Sequence, residues 1–158
     1  MTTDSSTDRV ERSIHIQAPR NKVWHSLTHA EEYGKWFGAR LTGQRFEPGQ
    51  RVQGPITIQG YEHVVFDVVI DRVEPETLMS YRWHPHAVDA GVDYSKEERT
   101  LVTFTLKDAP DGTLLTVTET GFDKVPPARR MEAFRGVSNG WPHQLDNIAR
   151  HVTSPTAR

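Results

Sequence analysis

The chain has 158 residues, enough for one domain with a sizeable core. Its net charge of −2 argues against a nucleic-acid-binding face, and the absence of Cys excludes disulfides, a thiol nucleophile and a thiolate metal site. No apolar run approaches the ~20 residues of a membrane span, and residues 1–8 lack the basic and apolar regions of a signal peptide. A cytoplasmic protein with no membrane and no nucleic-acid partner is the expectation.

Residues 1–8 read as a frayed tail, 9–152 as one domain and 153–158 as a second tail. Residues 9–17 alternate, with Val10, Arg12, Ile14 and Ile16 against charged or polar neighbours, and predict a strand. Pro19 then suits the first turn of a helix whose buried face is Val23, Trp24 and Leu27. A second short helix carries Glu31 and Glu32 in its first turn and Tyr33, Trp36 and Phe37 on its apolar side, with Gly38 as its stop. Six strand-like segments follow at 39–46, 51–58, 63–73, 78–84, 99–106 and 113–120, parted by Pro, Gly and Asp turn residues. Short turns between consecutive strands predict an antiparallel meander. The longest irregular stretch, 85–98, has the length of a lid or rim.

The last quarter predicts one long amphipathic helix, with Met131, Phe134, Val137, Trp141, Leu145, Ile148 and Val152 on a single stripe. Gly136, Gly140 and Pro142 interrupt it. Pro142 removes a backbone hydrogen bond and crowds the carbonyl of Ser138, so a bend is expected there. A helix that thins where its aromatics point inward fits one laid across a cavity. The resulting fold class is α+β: about seven antiparallel strands, two short helices after the first strand, and a long C-terminal helix over the sheet.

This order resembles the START-like superfamily, also called SRPBCC, which shares the helix-grip fold of the birch pollen allergen. Within it the chain resembles the heat-shock protein 90 ATPase activator-like (AHSA) subfamily over residues 9–152. The resemblance is carried by Ile16-Gln17-Ala18-Pro19 with Val23-Trp24 and Trp36-Phe37, by Thr118-Glu119-Thr120-Gly121-Phe122, and by Gly140-Trp141-Pro142 with Leu145 and His151-Val152. It implies a curved sheet gripping the long helix, a cavity between them, and a hydrophobic small molecule as partner. Related folds often dimerise, so a homodimer is within its range. The eukaryotic co-chaperone that names the subfamily carries an additional N-terminal domain, for which 158 residues leave no room.

Several residues could serve such a cavity. Alternation puts Val102, Phe104 and Leu106 inward on one strand, and Leu115, Val117 and Glu119 inward on the next. A carboxylate on an apolar face is costly unless paired or protonated, so Glu119 is either a structural acceptor or the best candidate for a general acid/base. His63, at the start of a strand, could line the cavity mouth; Asp67 and Asp71 fall on the outer face. His84 and His86, with Asp89 or Asp93, form at most a weak metal pattern, and no metal is expected. Trp36, Phe37, Tyr81, Trp83, Phe104, Phe134 and Trp141 supply aromatic surface that is either core or pocket wall, and Leu145 continues the wall. Ser26, Ser80 and Ser138 lack a nucleophile-elbow context, and no phosphate-cradling or dinucleotide motif occurs, so no cofactor is expected. Three readings stay open: ligand binding without chemistry, a cofactor-free cyclase or dehydratase acting on a polyketide-like or aromatic substrate, and a chaperone-regulating interaction protein.

Overall fold

Tight reversals set the topology. Pro110 and Asp111 turn the chain between β5 (Thr100–Ala109) and β6 (Gly112–Thr120), with Asp111 in the left-handed region at φ 60°. Glu76 does the same, at φ 58°, between β3 (Val65–Glu74) and β4 (Leu78–Trp83). The protein is seen in a computed structural model that describes residues 8–154. With β1 (Arg9–Ile16) and β2 (Arg51–Pro55) the strands form one curved, open antiparallel sheet in the order β1-β6-β5-β4-β3-β2. Thr100, Val102, Phe104 and Leu106 of β5 are buried, as are Thr113, Leu115, Val117 and Glu119 of β6. The alternate face is wet and hydroxyl-rich; Ser13 there bonds to Thr116 at 2.8 Å.

Three helices cover the buried face: α1 (Arg20–Thr28), α2 (Ala30–Phe37) and α3 (Pro127–Thr153). Gly38 ends α2 in the left-handed conformation, at φ 99°. α3 runs through the expected bend site as one continuous helix of 27 residues, with Pro142 inside it. Ala133, Val137, Trp141, Leu145, Ile148 and Val152 are its buried stripe. Met131 stands 45% exposed, because Ala133 takes the inward position in that turn. His151, in the last turn of α3, meets Glu32 of α2 at 3.0 Å and fastens the two helices together. No helix among the described residues is long and apolar enough to cross a membrane.

The sheet has six strands, not about seven. Residues 39–46 bury Leu41 and Phe46 as a strand would, but they pair only through a single bridge, Ala39 to Ile56. Gln44 replaces the missing ladder. Its side-chain amide donates to the Gln53 carbonyl at 2.5 Å, and its Oε1 accepts from the Gln53 N–H at 2.8 Å. A side chain thus does the pairing that alternation assigned to backbone. β2 stops at Pro55 and β3 starts at Val65, because a turn that bonds Tyr61 to Ile58 and Val64 to Tyr61 occupies the interval. Of the expected tails, residues 1–7 and 155–158 lie outside the described residues. Asp8 accepts from the Asp123 N–H at 3.0 Å, and Thr153 is the last residue of α3.

Gln44→Ala removes both side-chain bonds to Gln53. It is expected to lower stability by about 1–2 kcal/mol in urea unfolding, and to speed amide exchange at Gln53 above that of β3.

Candidate functional site

A cleft of about 990 Å³ opens between the β2–β3–β4 end of the sheet, the middle of α3 and the loop 84–99. Its wall is built from two tryptophans on different elements. Trp83, the last residue of β4, stacks on Trp141 of α3 with ring centroids 5.7 Å apart and planes inclined by 25°. Phe37, at the end of α2, sets its ring near both, at 6.0 and 6.4 Å.

The indole N–H groups turn to a shared acceptor. Trp83 Nε1 donates to Glu119 Oε2 at 2.8 Å and Trp141 Nε1 to Oε1 at 2.9 Å, while the Thr100 hydroxyl donates to Oε2 at 2.6 Å. Glu119 is fully buried. Burial pushes its pKa up, and the bonds from Thr100, Trp83 and Trp141 oppose that rise. The carboxylate lies behind the aromatic wall and does not line the cleft. It is therefore a positioning residue for the tryptophan pair, not a group that can reach a ligand.

Two glycines on α3 have different tasks. A side chain at Gly140 would meet nothing within 4 Å, so bare helix backbone faces the cleft there. At Gly136 a Cβ would lie 2.4 Å from Nδ1 of His86, so the loop is seated directly on the helix. His86 itself is held in the left-handed region, at φ 52°.

The loop 84–99 roofs the cleft. Arg129, in the first turns of α3, secures its base: the guanidinium grips Glu97 at 2.9 and 3.0 Å through Nε, donates to the Pro85 carbonyl at 2.9 Å and lies 4.7 Å from the centre of the Tyr94 ring. At the tip, His63 donates through Nε2 to the Val88 carbonyl at 2.7 Å. Around the mouth, Ile58, Tyr61, Val65 and Val92 are 45%, 49%, 55% and 51% exposed. Among the described residues they account for four of the five exposed large apolar residues, and all four line this cleft.

Of the ligand-binding candidates read from the sequence, Phe37, His63, Trp83 and Trp141 line the cleft, as do His84, His86, Asp89 and Asp93. So does Asp67, which alternation assigns to the outer face but which lies with Arg51 and Arg99 at the cleft. The remaining ligand-binding candidates lie elsewhere. Tyr81 shares a 2.6 Å hydrogen bond with the hydroxyl of Tyr33 in the core, where burial pushes both phenols above their ordinary range. Phe104 and Leu145 are core. Trp36 donates to the Ser26 carbonyl at 2.9 Å, and Phe134 packs edge-on to Phe122 at 5.4 Å. These differ from the cleft residues in depth, not in face: α2 inserts Tyr33 and Phe37 against mid-sheet positions and leaves only the strand ends uncovered. His84 and His86 do not converge on one point. His84 bonds the Glu97 carbonyl at 2.9 Å, whereas His86 faces Glu132 at 3.7 Å. No cluster of three or more His, Asp or Glu suited to a metal occurs among the described residues. The rim residues and the Arg129–Glu97 pair went unread. Apolar side chains in turn-rich segments were the available signal for the rim, whereas a pairing 32 positions apart leaves no local trace.

Arg129→Ala leaves Glu97 half-buried and unpaired. It is expected to destabilise the roof loop locally by up to about 3 kcal/mol, seen as faster amide exchange over 84–98 with α3 unaffected. Glu119→Gln removes a carboxyl that holds its proton more tightly in the folded than in the unfolded chain. The stability of the wild type relative to this variant therefore falls as pH rises from 4.5 through the raised value, and is level above it. Urea unfolding at a series of pH values reads the slope.

The family model for "Activator of Hsp90 ATPase homolog 1-like protein" matches residues 17–153. Among curated proteins, none matches the chain. Protein MLL2253 from Mesorhizobium loti is similar in structure, with a TM-score of 0.70, 26% identity, and coverage of 95% of this chain and 99% of that one. DynU16, a protein of the dynemicin biosynthetic locus, superposes with a TM-score of 0.69 at 23% identity over 93% of this chain and 48% of its own. A protein from Arthrobacter aurescens solved by NMR superposes with a TM-score of 0.77 at 15% identity over 99% of this chain and 92% of that one. The last two likenesses concern the fold alone. The match over residues 17–153 makes the chain a member of the Activator of Hsp90 ATPase homolog 1-like family.

Proposed function

We propose that the protein binds a flat, largely apolar small molecule in the cleft, against the Trp83–Trp141 wall and under the 84–99 loop. The observation that carries this reading is a stacked tryptophan pair facing a space of about 990 Å³. That volume lies at the upper end of the range of small-molecule sites. The exposed apolar residues ring a concavity instead of forming a flat face, which favours a small ligand over a docked protein. Each 100 Å² of ligand apolar surface removed from water contributes roughly 2.5 kcal/mol before the costs of association. Binding without chemistry is preferred to a cyclase or dehydratase activity because Glu119, the candidate acid/base, is sealed behind the wall.

Gly140→Leu tests the reading without disturbing the core. The new side chain enters open space, and a helix gains about 1 kcal/mol when Gly is replaced by a good helix former. The variant is expected to melt no lower than wild type. It should lose the quenching of tryptophan emission that planar aromatic compounds produce in the wild-type protein. Unchanged binding in Gly140→Leu would place the ligand elsewhere and overturn the proposal.

A further inference from the structure

The tryptophan wall is chemically one-sided. Both indole N–H groups are engaged by Glu119, so neither is free to donate to a ligand in the cleft. Behind it stands a carboxyl group whose three partners, Thr100, Trp83 and Trp141, are all neutral donors. Three donors converging on two oxygens suit a carboxylate, which only accepts. No cation among the described residues pairs with it. An indole whose N–H is bonded to an anion becomes more electron-rich at its faces, and Trp is the best of the aromatic side chains for attracting a cation. Glu119 itself is fully buried, so water does not screen its charge on its own side of the wall.

The charged groups on the cleft lining lean the same way. Arg51 and Arg99 both reach Asp67, at 2.8 and 3.5 Å, and are occupied by it. Asp89 and Asp93, on the roof loop, form no ion pair among the described residues. Among the acidic and basic residues lining the cleft, the three carboxylates of Asp67, Asp89 and Asp93 outnumber the two arginines, and Glu119 adds a further carboxyl behind the wall.

We propose that the cleft selects flat aromatic cations, such as N-alkylated heteroaromatics, over neutral or anionic compounds of the same shape. The cation lies on the π-face of the Trp83–Trp141 pair, and the buried Glu119 supplies the opposing charge. This inference rests on the cleft being the ligand site.

Three probes of one shape test it: N-methylquinolinium, 1-methylnaphthalene and 1-naphthoate. Each is titrated against the full chain by calorimetry and by the NMR shifts of the Trp83 and Trp141 indole N–H signals. The cation is expected to bind wild type about tenfold more tightly than its neutral isostere, with the anion weakest. In Glu119→Gln the cation and the neutral probe should converge to within about twofold, whatever shift the altered wall imposes on both. If Glu119→Gln does not fold, Trp83→Phe serves instead; it removes one indole–carboxylate bond and should reduce the cation's advantage in the same direction. A wild-type protein that binds the neutral probe as tightly as the cation, or the anion most tightly, overturns the charge selection and leaves the cleft reading intact. If no probe binds, or if Gly140→Leu binds all three like wild type, the cleft reading fails and this inference with it.

Discussion

A fully buried carboxyl group with no counter-ion is the constraint around which the rest is arranged. Removing such a group from water costs several kcal/mol unless its oxygens are satisfied. Here satisfaction comes from three different elements. Glu119 lies on β6, Thr100 on β5, Trp83 on β4 and Trp141 on α3. Hydrophobic packing alone would let α3 roll on the sheet at little cost, because apolar contacts have no preferred direction. A bond from the Trp141 indole to Oε1 has direction and length, 2.9 Å. It fixes the rotation of the helix about its own axis, and so decides which residues of α3 look into the cleft. Gly140 precedes Trp141, and Gly136 lies one turn before Gly140, so the same bond presents bare backbone to the cavity.

The space between sheet and helices is divided unequally. At one end α2 inserts Tyr33, Trp36 and Phe37, whose rings pack on one another and on Phe46, Phe66, Tyr81 and Phe104 at centroid distances from 4.5 to 6.3 Å. That end is filled, and the Tyr33–Tyr81 hydroxyl pair meets the polar needs of both phenols within it. At the other end the helix offers glycine, and nothing replaces the missing side chain. Protein interiors normally close such gaps, since each lost contact forfeits dispersion energy. Two glycines inside a helix cost a further 1 kcal/mol or so each. An empty volume beside Gly140, a residue that destabilises its own helix, is what a binding space would look like rather than imperfect packing.

The fold was largely legible in the sequence, and the reasons are local. Strand alternation placed Val102, Phe104, Leu115, Val117 and Glu119 on the inner face, where all are buried. Gly38 and the Pro110–Asp111 reversal marked ends that the backbone honours. The one strand too many arose because residues 39–46 have the burial pattern of a strand but pair through the Gln44 side chain, which no periodicity reports. The site was less legible. Period two identifies a face of the sheet but not a position along it, so Tyr81 and Trp83, two apart on β4, look equivalent. Yet one is core and the other is wall. What separates them is where α2 stops, and that is a tertiary fact. The helix glycines pointed to the cavity because Gly inside a helix is locally anomalous. The roof loop was marked by its length, as the longest irregular stretch at 85–98, but not by the residues that tie it down.

The roof loop is held in a graded way. Its base is tied to α3 by Arg129, which engages Glu97, the Pro85 carbonyl and the Tyr94 ring at once, and Glu97 in turn accepts from His84 through its carbonyl. Those groups are largely withdrawn from water, so releasing them is expensive. Its tip is held by the bond from His63 to the Val88 carbonyl and by the Asp89 N–H donating to the Tyr94 hydroxyl at 3.2 Å, and the residues 89–93 are exposed. A ligand large enough to cover the tryptophan wall needs a way in, and the cheaper movement is at the tip. Opening there exchanges these exposed hydrogen bonds for water, a net change on the order of 1 kcal/mol each. Val92 would leave the rim with the tip, while Ile58, Tyr61 and Val65 stay on the opposite side. The mouth can therefore widen without moving Arg129, Trp83 or Trp141, so the wall keeps its geometry while access to it varies.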